Sequence, residues 1–146
     1  MDLALEDIEK AIELQPRLMH PYLMRAEIYA ATDRLAEASQ QLEKLLEMAP
    51  DNVQLMNRLG SFYLMAGKPR KAIDTLNEVI EQDPKNYSAI RFRADAHLNI
   101  GEHAEAVADF DRATELAEED DESLLNNFAW VLATSPDDDV RNGKRA

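Results

Sequence analysis

Three prolines, Pro16, Pro50 and Pro84, stand 34 residues apart, and a family of other positions keeps step with them. Small residues recur at Ala4, Ala38, Ala72 and Ala106, and larger apolar ones at Ile8, Leu42, Leu76 and Phe110. A third set runs Ala11, Leu45, Val79 and Ala113, and even an acidic position obeys the period at Glu13, Glu47, Glu81 and Glu115. Such strictness describes an array of one repeated supersecondary unit, not a globule with a unique core. Arrays of this kind act by displaying a surface, so a binding face is sought before a catalytic centre.

The unit is legible inside the period. Each copy opens with an apolar stripe at separations of three and four, which puts the side chains on one helix face. The stripes are Tyr22, Ala26 and Tyr29; Met56, Leu59, Gly60 and Tyr63; and Ile90, Ala94 and His97. A turn is expected at Asp33, Gly67 and Gly101, because glycine takes positive φ freely and aspartate tolerates it. The second stripe follows and proline stops it. With only 4 Gly and 6 Pro in 146 residues, long helices with short turns are expected, and the chain reads as all-α. Gly60 inside a helix costs about 1 kcal/mol relative to alanine, so a close approach of the paired helix near Ala72 is expected there. Three full units run 19–52, 53–86 and 87–120.

These positions resemble the tetratricopeptide repeat family, whose unit carries a large residue, Leu, a small residue and Tyr, then Ala, Phe or Leu, Ala and Pro. The middle unit matches through Met56, Leu59, Gly60, Tyr63, Ala72, Leu76, Val79 and Pro84. The flanking units match through Tyr22, Ala26, Tyr29, Ala38, Leu42, Leu45 and Pro50, and through Ile90, Ala94, Ala106, Phe110 and Ala113. The resemblance implies a right-handed α-solenoid of antiparallel helix pairs, with first helices lining a concave face. Arg25 and Arg93 stand where the family often has Leu, a variant similar to a bacterial form of the repeat. An ion pair with Asp109 or Asp111 is expected for Arg93.

The ends depart from the period. Residues 2–16 supply a trailing second helix only. After Glu115 the proline expected at 118 is Glu118, and Leu125, Phe128, Ala129 and Leu132 fit after one inserted residue. Residues 121–146 thus form a partial unit with a longer loop. Ser135–Pro136 followed by Asp137, Asp138 and Asp139 has the form of a new helix start. Trp130 is expected to pack against that helix, an exposed binding anchor being the other reading. The chain reads as a segment of a longer array. Apolar faces at Ile8/Ile12 and at Leu125/Phe128/Trp130 would then be uncovered and could drive homo-oligomerisation.

Little in the sequence points to catalysis. There is no cysteine, hence no thiolate metal site and no Cys nucleophile. His20, His97 and His103 lack helical metal-pair spacing, and no HExxH, GxSxG or P-loop pattern occurs. His97 takes the packing place of Tyr29 and Tyr63, and His103 is expected to be exposed. The acidic run 118–122 lacks the alternating ligands and sharp Gly turn of a calcium loop. No enzyme activity, metal or cofactor is expected. A net charge of −13 disfavours nucleic acid, an RNA-reading helical repeat included. Apolar runs are too short for a membrane span of roughly 20 residues, and the start lacks a basic n-region. A cytoplasmic location without membrane contact is expected.

The resemblance also implies which positions face the groove. They are His20, Leu23, Glu27 and Ala30 in the first unit, and Gln54, Asn57, Ser61 and Leu64 in the second. They continue with Ser88, Arg91, Asp95 and Leu98 in the third, and Ser123, Asn126, Trp130 and Ala133 in the last, with Arg58 close by. Residues 53–68 hold no acid and 87–101 only Asp95, whereas 102–122 hold ten. The expected ligand is a neutral or mildly acidic extended peptide bound with weak to moderate affinity, since ordering it costs several kcal/mol. One subfamily clamps chaperone C-termini with Lys, Asn and Arg. The matching positions here are Leu23, Glu27, Arg58, Ser88 and Phe92, none of which fits. The expected function is a non-catalytic protein-interaction scaffold; the alternative is the repeat region of a larger enzyme or regulator that positions substrates or self-associates.

Overall fold

A computed structural model describes residues 2–117 and 121–141. Among them are eight helices: α1 (Asp2–Leu14), α2 (Met19–Ala31), α3 (Leu35–Met48), α4 (Val53–Met65), α5 (Pro69–Gln82), α6 (Tyr87–Asn99), α7 (His103–Leu116) and α8 (Glu122–Thr134). No strand occurs among the described residues, and the chain is an all-α helical repeat solenoid. Consecutive helices pack on one another along the whole series. Beyond that, α4 touches α6 and α6 touches α8, while odd-numbered helices make no comparable contact among the described residues. Helices α4, α6 and α8 are therefore the closer-packed inner layer, to which the Arg58–Glu27 pair ties α2, and odd-numbered helices form the splayed outer one. Glu47, Asp74, Glu78, Glu81, Glu105 and Glu115 stand exposed on that outer layer.

Period and geometry coincide at the turns. Asp33, Gly67 and Gly101 have φ of 59°, 67° and 76°. The next residue's N–H reaches back five residues in each case: Arg34 to Tyr29, Lys68 to Tyr63 and Glu102 to His97, at 2.8, 2.8 and 3.0 Å. This is the six-to-one bond of a Schellman motif, which closes the carbonyls left open at a helix C-terminus. At the other end, the side chains of Asn52, Asn86 and Asp121 accept N–H bonds from the first turns of α4, α6 and α8. These caps satisfy donors that have no partner within the helix.

The core follows the periodic positions. Leu42, Leu76 and Phe110 are wholly buried, as are Leu45, Val79 and Ala113 and the small residues Ala26, Ala38, Ala72, Ala94 and Ala106. Gly60 leaves room for Leu76, one turn beyond Ala72 on the paired helix α5: a Cβ there would lie 2.6 Å from Leu76 Cδ2 and 2.7 Å from Cγ. Arg93 pairs with Asp109, through two bonds of 2.7 Å, and also donates to Asn77 Oδ1 of the preceding unit at 2.7 Å. Arg25 makes the equivalent bonds to neutral Gln41, at 3.0 and 2.5 Å.

Several expectations at the ends need correction. Ile8 is buried and Ile12 half-buried, so that pair is not an open apolar face; the exposed large apolar side chains of α1 are Leu3 and Leu14. In α8 the buried set is Leu124, Phe128, Val131 and Leu132, and Leu125 is 40% exposed. The cap explains this. Asp121 lies one residue beyond the 34-residue step from Asn86, so Leu124 takes the place of Leu55 and Ala89. Leu125 takes the place of Met56 and Ile90, and no second helix to cover it is among the described residues. Phe128 is buried and stacks on Phe110 at 5.8 Å, so it too is no open face. Trp130 is 55% exposed, with no following helix packed over it among the described residues. Past α8, Ser135 Oγ accepts from Asp137 N–H at 3.2 Å and Arg141 N–H reaches Asp137 O at 2.9 Å. That is one turn; the rest of the expected helix, and residues 118–120 of the acidic run, lie outside the described residues. His103 is half-buried, with Nδ1 3.0 Å from the buried Ser135 Oγ, and is not the exposed residue expected.

Candidate functional site: the inner face

Every even-numbered helix has one stripe in the core and a neighbouring stripe on the inner face. Two hollows result. The first, about 430 Å³, spans α2, α4 and α6 and is lined by Leu23, Gln54, Leu55, Asn57, Arg58, Ser61, Ser88 and Phe92. The second, about 580 Å³, spans α4, α6 and α8 and is lined by Leu64, Asp95, Leu98, Asn99, Asn127 and Trp130. Gln54 and Ser88 sit in the first turns of α4 and α6, whereas Leu64, Leu98 and Asn99 sit at the ends of those helices. The hollows are thus offset diagonally across the parallel helices.

Polar bridges tie the inner layer together. Arg58 Nη1 and Glu27 Oε1 meet at 2.9 Å across α2 and α4, both well exposed, which makes the pair a weak contributor to stability. Between α6 and α8 the bridge is denser. Tyr87 donates to Asp121 Oδ2 at 2.7 Å, Arg91 donates to Ser123 Oγ at 2.5 Å, and Arg91 Nε lies 3.3 Å from Asp121. That last contact is an ion pair by distance without hydrogen-bond geometry, since Nε is buried with no bonding partner. Backbone N–H donation from Leu124, with Tyr87 and Ser123, holds the Asp121 carboxyl well below the usual carboxylate range. Asp95 moves the other way: burial raises it, partly offset by the amide of Asn127, which donates to Oδ1 at 2.9 Å.

Of the residues expected in the groove, Leu23, Gln54, Asn57, Arg58, Ser61 and Ser88 line the first hollow, and Leu64, Asp95, Leu98 and Trp130 the second. Glu27 stands at the rim through Arg58. His20 is exposed at the start of α2 and lines neither. Arg91 lines neither because its guanidinium is engaged by α8. Asn126 is exposed and also lines neither; its neighbour Asn127 does. Asn127 holds the register position of Arg58 and Phe92, a signal present in the sequence once the inserted residue is counted. Phe92 does not fit the clamp, yet it lines the first hollow.

A family model described as tetratricopeptide repeat matches residues 36–91 and 63–126, together more than half of the chain. Sperm-associated antigen 1 of Mus musculus is 47% identical over 49 residues, covering 34% of this chain and 5% of that protein. The mitochondrial import receptor subunit TOM70 of Homo sapiens is 26% identical over 123 residues, covering 81% of this chain and 20% of that protein. The chain therefore spans a small part of the length of the curated relatives it matches. Among solved structures, MamA from Desulfovibrio magneticus RS-1 superposes with a TM-score of 0.81 at 15% identity, covering 89% of this chain and 73% of that one. The first tetratricopeptide domain of Spaghetti (RPAP3), bound to the HSP90 peptide SRMEEVD, superposes at 0.71 with 20% identity, covering 77% and 89%. At these identities the structures speak for the fold.

Proposed function

The chain belongs to the tetratricopeptide repeat family, and from that premise we propose that it is a non-catalytic scaffold holding an extended segment of another protein on its inner face. The array reads as units 19–52, 53–86 and 87–120 with partial units at 2–16 and 121–146. One observation carries the reading: the inner layer holds two hollows with almost no acid, while the exposed acids crowd the outer helices. A segment running over both hollows would bury apolar side chains against Leu23, Leu55 and Phe92 at one end and Leu64, Leu98 and Trp130 at the other. Gln54, Asn57, Ser61 and Asn127 offer neutral hydrogen bonds to its main chain. A similar fold holds the HSP90 peptide SRMEEVD in RPAP3. Here the corresponding positions are Leu23, Glu27, Arg58, Ser88 and Phe92, and Arg58 is already paired with Glu27, so a carboxylate clamp is not the mode proposed.

Ser88 tests this cleanly, because it lines the first hollow and makes no side-chain bond that the fold needs. Selection of a random displayed peptide library on the chain, followed by Ser88→Arg, is expected to yield binders weakened more than tenfold with an unchanged melting temperature. Binders indifferent to that substitution would move the site elsewhere. A second reading is favoured by length: the curated relatives are much longer than this chain. In it the array is the non-catalytic region of a larger protein and positions that protein's substrates.

A further inference from the structure

The second hollow holds a carboxylate with one oxygen free and, among the described residues, no ion pair. Asp95 is the one charged side chain lining it, set among Leu64, Leu98 and Trp130. Asn127 occupies Asp95 Oδ1, at 2.9 Å; Oδ2 has no partner among the described residues and is not sealed from solvent. Asp95 makes no ion pair there either, since Arg91, one turn earlier on α6, is taken by Asp121 and Ser123. A partly desolvated carboxylate beside an exposed indole selects its occupant. A purely apolar side chain would strip water from Asp95 and return nothing. An acidic one would be repelled. A cation on an apolar stem would lay its methylenes along the two leucines and bring its charge to the carboxylate and the Trp130 face.

We propose that the second hollow is a specificity pocket for a single lysine or arginine side chain in the bound segment, recognised by Asp95 and Trp130. This rests on the reading that the inner face binds an extended peptide. It amends the ligand expected from sequence: the segment is neutral or apolar over the first hollow and carries one cation over the second.

The test uses the peptides selected above. Binders that Ser88→Arg weakens are expected to share a basic residue at one fixed position. Replacing that residue by norleucine should weaken binding of a labelled peptide about tenfold in fluorescence anisotropy. Asp95→Asn keeps an acceptor for Asn127 and should shrink the difference to about twofold; Trp130→Leu, which leaves the cap and core untouched, should shrink it as well. Trp130 is the only tryptophan, so its emission should shift with the lysine peptide in the unmodified chain. Ser88-sensitive binders without a shared basic residue, or a norleucine penalty unchanged in both variants, would overturn the pocket and leave the groove standing. If no Ser88-sensitive binder is selected, both fall.

Discussion

Arg93 shows how one position can be solved in three ways within one chain. Its guanidinium is held by Asp109 and Asn77, with side chains 19% and 8% exposed for the ion pair. The middle unit has Leu59 and Thr75 at the two paired positions, and the first has Arg25 and Gln41. Asp109→Thr alone strands a largely buried cation and is expected to cost about 3 kcal/mol. Adding Arg93→Leu copies the middle unit and should return stability to within about 1 kcal/mol of the parent. Urea denaturation of the parent, the single variant and the double variant checks this; a double variant no better than the single one would mean that Asn77 or the local packing carries the pair. The Arg93–Asp109 contact was legible because the period sets those residues on facing helices. Asn77 was not, since it reaches in from the neighbouring unit, and a repeat pattern describes a unit better than its seams. Gly60 repeats the lesson at finer grain: the need for a small residue could be read, its neighbour Leu76 could not.

At the scale of the helix, α8 shows what a single inserted residue does. The cap at Asp121 sets the register one residue late, and Leu124 then takes the buried place of Leu55 and Ala89. Leu125 holds the place that is buried at Met56 and Ile90, and it is exposed because no second helix among the described residues covers it. Asp121 also links α8 to Tyr87 and Arg91 of α6. Its folded-state ionisation lies below that of a free aspartate, about 3.9. Charged Asp121 therefore stabilises the fold above that pH, and the contribution is lost as pH falls through the folded-state value. Asp95, raised by burial, works in the opposite sense, its penalty easing on acidification. Asparagine caps as well as aspartate, so Asp121→Asn isolates the charge. The variant should be less stable than the parent at pH 7, with the gap beginning to narrow below about pH 4 and shrinking steadily as pH falls further in urea melts. A gap independent of pH would show that the carboxylate adds nothing beyond the cap.

Across the whole molecule, stability is a sum of units and their interfaces, because each helix packs chiefly on its sequence neighbours. Helices α4 to α7 are packed on both sides, whereas α1 contributes Ile8 to the core and leaves Leu3 and Leu14 exposed. Amide hydrogen exchange should therefore be slowest in α4–α7 and fastest in α1, graded along the array. Uniform protection would indicate one all-or-none unit. The solenoid itself was legible almost entirely, since the period fixes which residues meet; the hollows were legible only in part, because they arise where three helices converge. The outer-layer acids have a further bearing on the ligand. Their long-range field draws any basic chain toward the array but leads it first to the outer side. A strongly basic segment would stay there, held by many diffuse attractions, while one with a lone cation loses little by sliding on to the inner face. The back of the array thus sets a ceiling on how basic a ligand can be and still be read from within.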